Sequence, residues 1–239
     1  MNKNLLPADQ DPRNPSFNYK NSQNENIDNS DKFNDFLNNN EVKQIFTGCL
    51  WAEGPAYIPH LDTLVWSDIP NNRMLKIRDN NVSEYRNPSN FCNGNTTDNH
   101  ENLISCSHGG RCLYRTDDNM NTEILIDNYE GKKLNSPNDI CVHSNGDIFF
   151  TDPPYGILSD YEGYPGKQEY GGCYVFSFNE KTKKLNVIIN DLVRPNGITL
   201  SPNEDKLYVA DTGENIKHLY SYDLINGVTL NRKLIYDFK

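Results

Sequence analysis

Glu53 sits in "WAEGPA", a carboxylate between Trp, Ala and a Gly-Pro turn, which is an odd setting for a charge that serves only to solvate a surface. Three amides occupy comparable places further along the chain. Glu53-Gly-Pro-Ala-Tyr-Ile is followed by Leu64-Val-Trp-Ser-Asp68, Asn138-Asp-Ile-Cys-Val by Ile148-Phe-Phe-Thr-Asp152, and Asn196-Gly-Ile-Thr-Leu by Leu207-Tyr-Val-Ala-Asp211. From leading residue to closing Asp the offsets are 15, 14 and 15. A weaker copy runs from Asn93-Gly-Asn to Leu103-Ile-Ser-Cys-Ser107, with an offset of 14. One carboxylate and three amide oxygens at equivalent positions suit a hard cation: calcium, magnesium or manganese, with zinc as an accommodated alternative. Each residue taken singly also fits a turn, and the closing Asp68, Asp152 and Asp211 could instead hold backbone amides.

Such residues converge only if the elements carrying them repeat in space. After residue 40 the chain is a succession of short runs rich in Val, Ile, Leu, Tyr, Phe and Trp, such as "TLVWSD", "IFFTD", "CYVFSFN" and "KLYVAD", separated by Asn, Asp, Gly and Pro clusters. No long helical period occurs, so the reading is all-β with many turns. The leading residues lie 40, 45 and 58 positions apart, intervals that fit four-stranded propeller blades, the longest with an insertion at "YGILSDYEGYPGKQEYGG". Four blades are readable, at about 44–90, 91–134, 135–192 and 193–239. The first strand of a blade lines the central channel, so Glu53, Asn93, Asn138 and Asn196 are expected around one channel mouth. Residues 1–40, rich in Asn, Asp and Pro, read as a flexible leader, and 41–239 as a partial propeller.

A net charge of −10 repels phosphate backbones, which argues against nucleic acid as a partner. No apolar run is long enough to cross a bilayer, so no membrane partner is expected, and the N-terminal "MNKNLLPADQDPRNPS" lacks the apolar core of a secretory signal. The six cysteines form no C-x-x-C and mostly fall in or beside strand-like runs, as small buried thiols of a cytoplasmic protein do. No Ser-His-Asp elbow is present, which disfavours a covalent serine mechanism.

The stretches "WAEGPAYIP", "LVWSDIPNNRMLKI", "NGNTTD", "SCSHGGR", "YEGKKLNSPNDI", "GDIFFTDPPYGI" and "RPNGITLSPNEDKLYVADTG" follow in the order found in the gluconolactonase branch of the SMP-30/gluconolactonase/LRE family, which the chain resembles from about residue 44 to its C-terminus. The resemblance implies a six-bladed propeller with one catalytic divalent metal in the channel, calcium foremost, and hydrolysis of sugar lactones, typically D-glucono-1,5-lactone to gluconate. It implies Glu53 and Asn196 as metal ligands and Asn138 as a ligand or a substrate-binding amide. Asn93, His108, Arg111 and Tyr155 would line the lactone pocket, although His108 also fits a structural role and Arg111 a blade-bridging one. The family's remaining ligand and general base is an Asp in a later "PDG", which is expected beyond residue 239. The chain therefore reads as four blades of six and as a fragment of a longer product, in preference to a natural truncation or a smaller closed ring. A non-catalytic ligand- or partner-binding propeller, or a hydrolase of another lactone or ester, are the competing functions.

Overall fold

The computed structural model describes residues 44–238. The chain divides into two units, residues 1–50 and 51–239. Residues 44–50, in the first unit, hold no helix or strand, and the leader expected over 1–40 lies outside the described residues.

In the second unit four sheets succeed one another, each a meander of four antiparallel strands. The first blade is β1 (Ala52–Ile58), β2 (Thr63–Asp68), β3 (Arg73–Arg78) and β4 (Asn81–Arg86). The second is β5 (Cys92–Thr97), β6 (Leu103–Ser107), β7 (Cys112–Thr116) and β8 (Thr122–Ile126). A small hairpin, β9 (Asn128–Tyr129) with β10 (Lys132–Lys133), leads to the third: β11 (Ile140–Val142), β12 (Ile148–Asp152), β13 (Cys173–Asn179) and β14 (Lys184–Leu192). The fourth is β15 (Pro195–Leu200), β16 (Lys206–Asp211), β17 (His218–Ile225) and β18 (Val228–Asp237). This is the all-β, four-blade propeller arrangement expected from the repeat. The first strand begins at Ala52, so residues 44–50, read from sequence as part of the first blade, precede it.

The second strand of each blade explains the sequence pattern. All five residues of β12, "IFFTD", are buried, because both faces of this sheet are covered by neighbouring blades. Side chains alternate along the strand, so Phe150 packs back with Ile104 and Leu113 of the second blade while Phe149 packs forward with Leu207 and Val209 of the fourth. Each such Phe contributes about 2–3 kcal/mol of burial. Val65, Met74, Cys92 and Leu103 form the corresponding layer between the first two blades. The hairpin between β17 and β18 turns at Asn226-Gly227, both with positive φ (51° and 76°), the backbone twist that a two-residue turn requires.

The closing residues settle their own role. The Trp51 N–H donates to Asp68 Oδ1 at 3.4 Å, Asn135 N–H to Asp152 Oδ2 at 2.7 Å, and Arg194 N–H to Asp211 Oδ1 at 2.7 Å, each pair 17 residues apart. In the second blade Ser107 Oγ donates to the Asn90 carbonyl at 2.8 Å over the same separation. Of the two roles open for these aspartates, the structure assigns them the backbone one: they anchor the entry to each inner strand.

Candidate functional site

Each leading residue stands at a break in the inner ladder. The pairing of β1 with β2 shifts between Glu53 and Ala56, that of β5 with β6 between Cys92 and Asn95, and that of β15 with β16 between Pro195 and Ile198. In the third blade Asn138 and Asp139 precede β11 and bond around Thr151 instead. A bulge re-aims side chains at a strand end, and here it recurs at the channel mouth in blade after blade.

The backbone at these positions is locked from the preceding blade. Ser67 Oγ donates to the Asn93 carbonyl at 2.6 Å, Gly94 N–H to the Asn138 carbonyl at 2.7 Å, and Thr151 Oγ1 to the Asn196 carbonyl at 2.6 Å. With the carbonyls committed to neighbouring blades, the side chains are left to the channel. Close approach of these backbones accounts for the glycine after the leading residue. A Cβ on Gly54 would lie 2.2 Å from the Asn93 carbonyl oxygen, and one on Gly94 would lie 2.5 Å from that of Asn138.

Glu53, Asn93, Asn138 and Asn196 line one cavity of about 310 Å³, together with Asn95 and Asp139. Asp139 takes the place that Gly54, Gly94 and Gly197 hold in the other blades, and its Oδ2 accepts the Ile198 N–H at 2.9 Å. Burial raises the pKa of Glu53; the Trp51 indole N–H, 3.2 Å from its Oε1, opposes the shift, and the nearby Asp139 charge adds to it. Burial likewise raises Asp139, against the Ile198 and Ile140 amides. Asn95 gives its Nδ2 to the Gly54 and Asn93 carbonyls and to Ser67 Oγ, which leaves its buried Oδ1 with no hydrogen-bond partner among the described residues. Two carboxylates in a poorly hydrated place, an orphaned acceptor and further side-chain amides fit a hard divalent cation. The described residues hold no cluster of three or more His, Cys, Asp or Glu, so a cation here would rest on mixed carboxylate and amide oxygens.

The other expected pocket residues stand apart from that cavity. His108 is fully buried behind Asn93, with Nε2 3.1 Å from Asn93 Nδ2 and Nδ1 3.0 Å from the Glu162 carbonyl. Arg111 donates from Nε to the Leu134 carbonyl at 2.6 Å and from Nη2 to that of Lys167 at 3.1 Å, tying the third-blade insertion to the turn before it. These contacts fit the blade-bridging role that its sequence position also allowed. Tyr155 opens helix α1 (Tyr155–Leu158); its hydroxyl donates to the Thr212 carbonyl at 3.1 Å, and the Arg194 guanidinium lies 5.6 Å from the centre of its ring. It joins the third blade to the fourth through Thr212 and Arg194.

Three residues escaped the sequence reading. Asp139 was signalled by the departure from glycine after the leading residue. Asn95 had no signal beyond its polarity. Glu162, in the insertion, has its carboxyl pushed up to about 7 by burial and then by the charge of Glu53. Only the folding of the loop brings it there.

A gluconolactonase of Zymomonas mobilis is 31% identical over 214 residues, covering 83% of this chain and 59% of its own length. The solved structure of a gluconolactonase from Xanthomonas campestris is 34% identical with a TM-score of 0.76, over 80% of this chain and 64% of that one. A calcium-binding regucalcin from Agrobacterium tumefaciens shares the fold at 16% identity and a TM-score of 0.61. This chain thus spans less than two thirds of the length of the two gluconolactonases. The family model matches residues 51–239, the whole run of blades, and the chain belongs to the SMP-30/gluconolactonase/LRE-like family.

Proposed function

We propose that the protein carrying this chain hydrolyses a sugar lactone in a metal-dependent reaction, with D-glucono-1,5-lactone as substrate and gluconate as product. The observation that carries the reading is the convergence of Glu53, Asn93, Asn138 and Asn196 on one cavity, in a chain similar to two gluconolactonases. Glu53, Asn138 and Asn196 would hold the cation, calcium first and magnesium, manganese or zinc as alternatives; the name of the regucalcin supports calcium. When bound, the ion supplies Lewis acidity toward the lactone carbonyl and toward a water.

The chain's own residues orient and exclude. Asn93 offers its amide oxygen to a hydroxyl of the lactone and Asn138 its side-chain amide, while Pro55 and Ile140 add apolar surface to the cavity lining. Water adds to the carbonyl carbon, the ring C–O bond breaks, and the departing ring oxygen takes a proton to become the hydroxyl of gluconate. The proton of the attacking water goes to a carboxylate of a later blade, as the family resemblance implies. A cytoplasmic location belongs to the same proposal and is supported by the buried thiols Cys92, Cys106 and Cys112.

The test is acid release from D-glucono-1,5-lactone by the full-length protein, stripped by a chelator and then titrated with each divalent ion. Turnover that disappears with the metal and returns with it is expected. A folded, metal-loaded protein that shows no turnover above the spontaneous rate, on this or any other lactone, would leave the binding-propeller reading standing instead.

A further inference from the structure

We propose that His108 is a positioning residue that selects which end of the Asn93 amide faces the cavity, and that the insertion loop of the third blade sets the tautomer through which it does so. The role rests on the lactonase reading for its functional consequence, but its geometry stands without it.

His108 is 0% exposed, so it touches no substrate. Its Nδ1 lies 3.0 Å from the Glu162 carbonyl oxygen, and a carbonyl has no proton to give. Nδ1 must therefore carry the hydrogen. The Glu162 side-chain oxygen, 3.6 Å from the same nitrogen, lies beyond hydrogen-bond reach and leaves the backbone carbonyl as the acceptor. Burial holds the imidazole neutral, with its pKa lowered to about 4. A neutral ring protonated on Nδ1 presents a lone pair at Nε2, and the partner there, at 3.1 Å, is the Asn93 Nδ2. The amide nitrogen is held at the imidazole, and the Oδ1 end is left to the cavity that Asn93 lines. The opposite tautomer would capture Oδ1 and turn an NH₂ group into the cavity, replacing an acceptor with a donor beside Glu53 and Asn138.

Neither partner can move to escape this choice. The Asn93 carbonyl is fixed by Ser67 Oγ and Asn95 Nδ2. The imidazole is packed so closely on Gly156 that a Cβ there would sit 2.4 Å from His108 Cβ. The loop that supplies the carbonyl is pinned as well. Tyr164 N–H donates to the Gly156 carbonyl at 3.0 Å, the Tyr164 ring meets Phe91 edge-on at 5.2 Å, and Tyr161 meets Trp51 at 6.3 Å. A Cβ on Gly163 would lie 1.9 Å from the Gly156 carbonyl oxygen, so the loop can follow this path only with glycine at that position.

The experiment has two arms on the full-length protein. Long-range ¹H–¹⁵N correlation of the histidine rings, with His108 assigned by its loss in His108→Gln, reads the tautomer directly and needs no activity. A neutral ring protonated at Nδ1 is expected from about pH 5 to 8, and a proton on Nε2 would overturn the proposal. The second arm compares His108→Gln, whose amide oxygen can still accept from Asn93, with His108→Leu, which cannot. Loss of this one hydrogen bond should raise KM for the lactone about tenfold in His108→Leu and no more than about threefold in His108→Gln, with kcat less affected. Equal KM values in both variants, alongside equal losses of Tm, would mean that His108 serves stability alone. If the protein lacks lactonase activity altogether, the tautomer still decides the proposal, so failure of the catalytic reading is distinguishable from failure of this one.

Discussion

Replacing Gly94 by Ala, with Gly197→Ala as its control, tests how the channel mouth is assembled. Both glycines follow a leading residue of the repeat, and neither has a positive φ that would itself forbid a side chain. Their surroundings differ. A Cβ on Gly94 would meet the Asn138 carbonyl oxygen at 2.5 Å, Asp139 Cα at 2.6 Å and Asp139 Oδ1 at 2.6 Å, two of which are backbone atoms of the next blade. A Cβ on Gly197 would meet its nearest atoms, Asp139 Oδ2 and Ala210 Cβ, at 3.8 and 3.9 Å. In Gly94→Ala the second and third blades must part at their inner strands, and the 2.7 Å bond from Gly94 N–H to Asn138 stretches with them. Overpacking of about 1–3 kcal/mol and a lost hydrogen bond of about 1 kcal/mol give a destabilisation of about 2–4 kcal/mol. For a domain of this size that lowers Tm by about 5–15 °C. Gly197→Ala should lie within about 1 kcal/mol of the parent, with the loss of unfolded-chain freedom favouring the variant. Calorimetric unfolding of the full-length protein and both variants measures this. Equal Tm values for the two alanine variants would refute the claim that inter-blade backbone contact dictates glycine at position 94.

Other outcomes follow from the same geometry. Asp211→Ala leaves the Val193 and Arg194 amides unpaired and should cost about 3 kcal/mol, with calcium affinity unchanged; lost affinity at unchanged stability would make Asp211 a ligand instead of an anchor. His60 lies between Glu101 Oε2 at 2.7 Å and Asp118 Oδ1 at 2.8 Å, and two carboxylate acceptors call for an imidazolium. The Asp118 hydrogen bond, with help from Glu101 and against desolvation, raises its pKa above 6.5. Its contribution to stability is therefore fully present below pH 6.5 and is lost as pH rises through the folded-state value. An NMR titration should place His60 above 6.5 and show it falling in Glu101→Gln; a value at or below 6.5 in the parent would contradict the arrangement. Phe150→Ala opens a cavity between the second and third blades and should cost about 3–5 kcal/mol by denaturant unfolding, whereas a cost below about 1 kcal/mol would show that layer to be loosely packed.

The blades were legible because a second strand covered on both faces writes an unbroken apolar run, as "IFFTD" does, and because "KLYVAD", buried at alternate positions, repeats the same run-to-Asp pattern one blade later. The convergence of Glu53, Asn93, Asn138 and Asn196 was legible because equivalent positions in a repeat come together in space. Orientation was not. Motif position brought His108, Arg111 and Tyr155 near the mouth, but a buried ring that clamps a neighbour and a pocket-lining ring have the same sequence signature. Arg111 turned to the carbonyl of Leu134, ahead of the third blade, and to that of Lys167 in the insertion loop, which motif position alone does not reveal. The closing aspartates were ambiguous until the 17-residue bonds to backbone amides appeared. Glu162 could not be foreseen, since its place depends on the path of a loop fixed by contacts of Gly156, Phe91 and Trp51 from three separate parts of the chain.

The central claim is that Glu53, Asn138 and Asn196 hold a divalent cation at the channel mouth. Calorimetric titration of the metal-stripped full-length protein with calcium tests it most directly, comparing the parent with Glu53→Gln, which keeps the size and the Trp51 hydrogen bond but removes the charge. A loss of about 10–100-fold in affinity is expected, with Tm of the metal-free protein unchanged or raised because burial already disfavours the charged form. Calcium binding of equal strength in the parent and in Glu53→Gln would contradict the account.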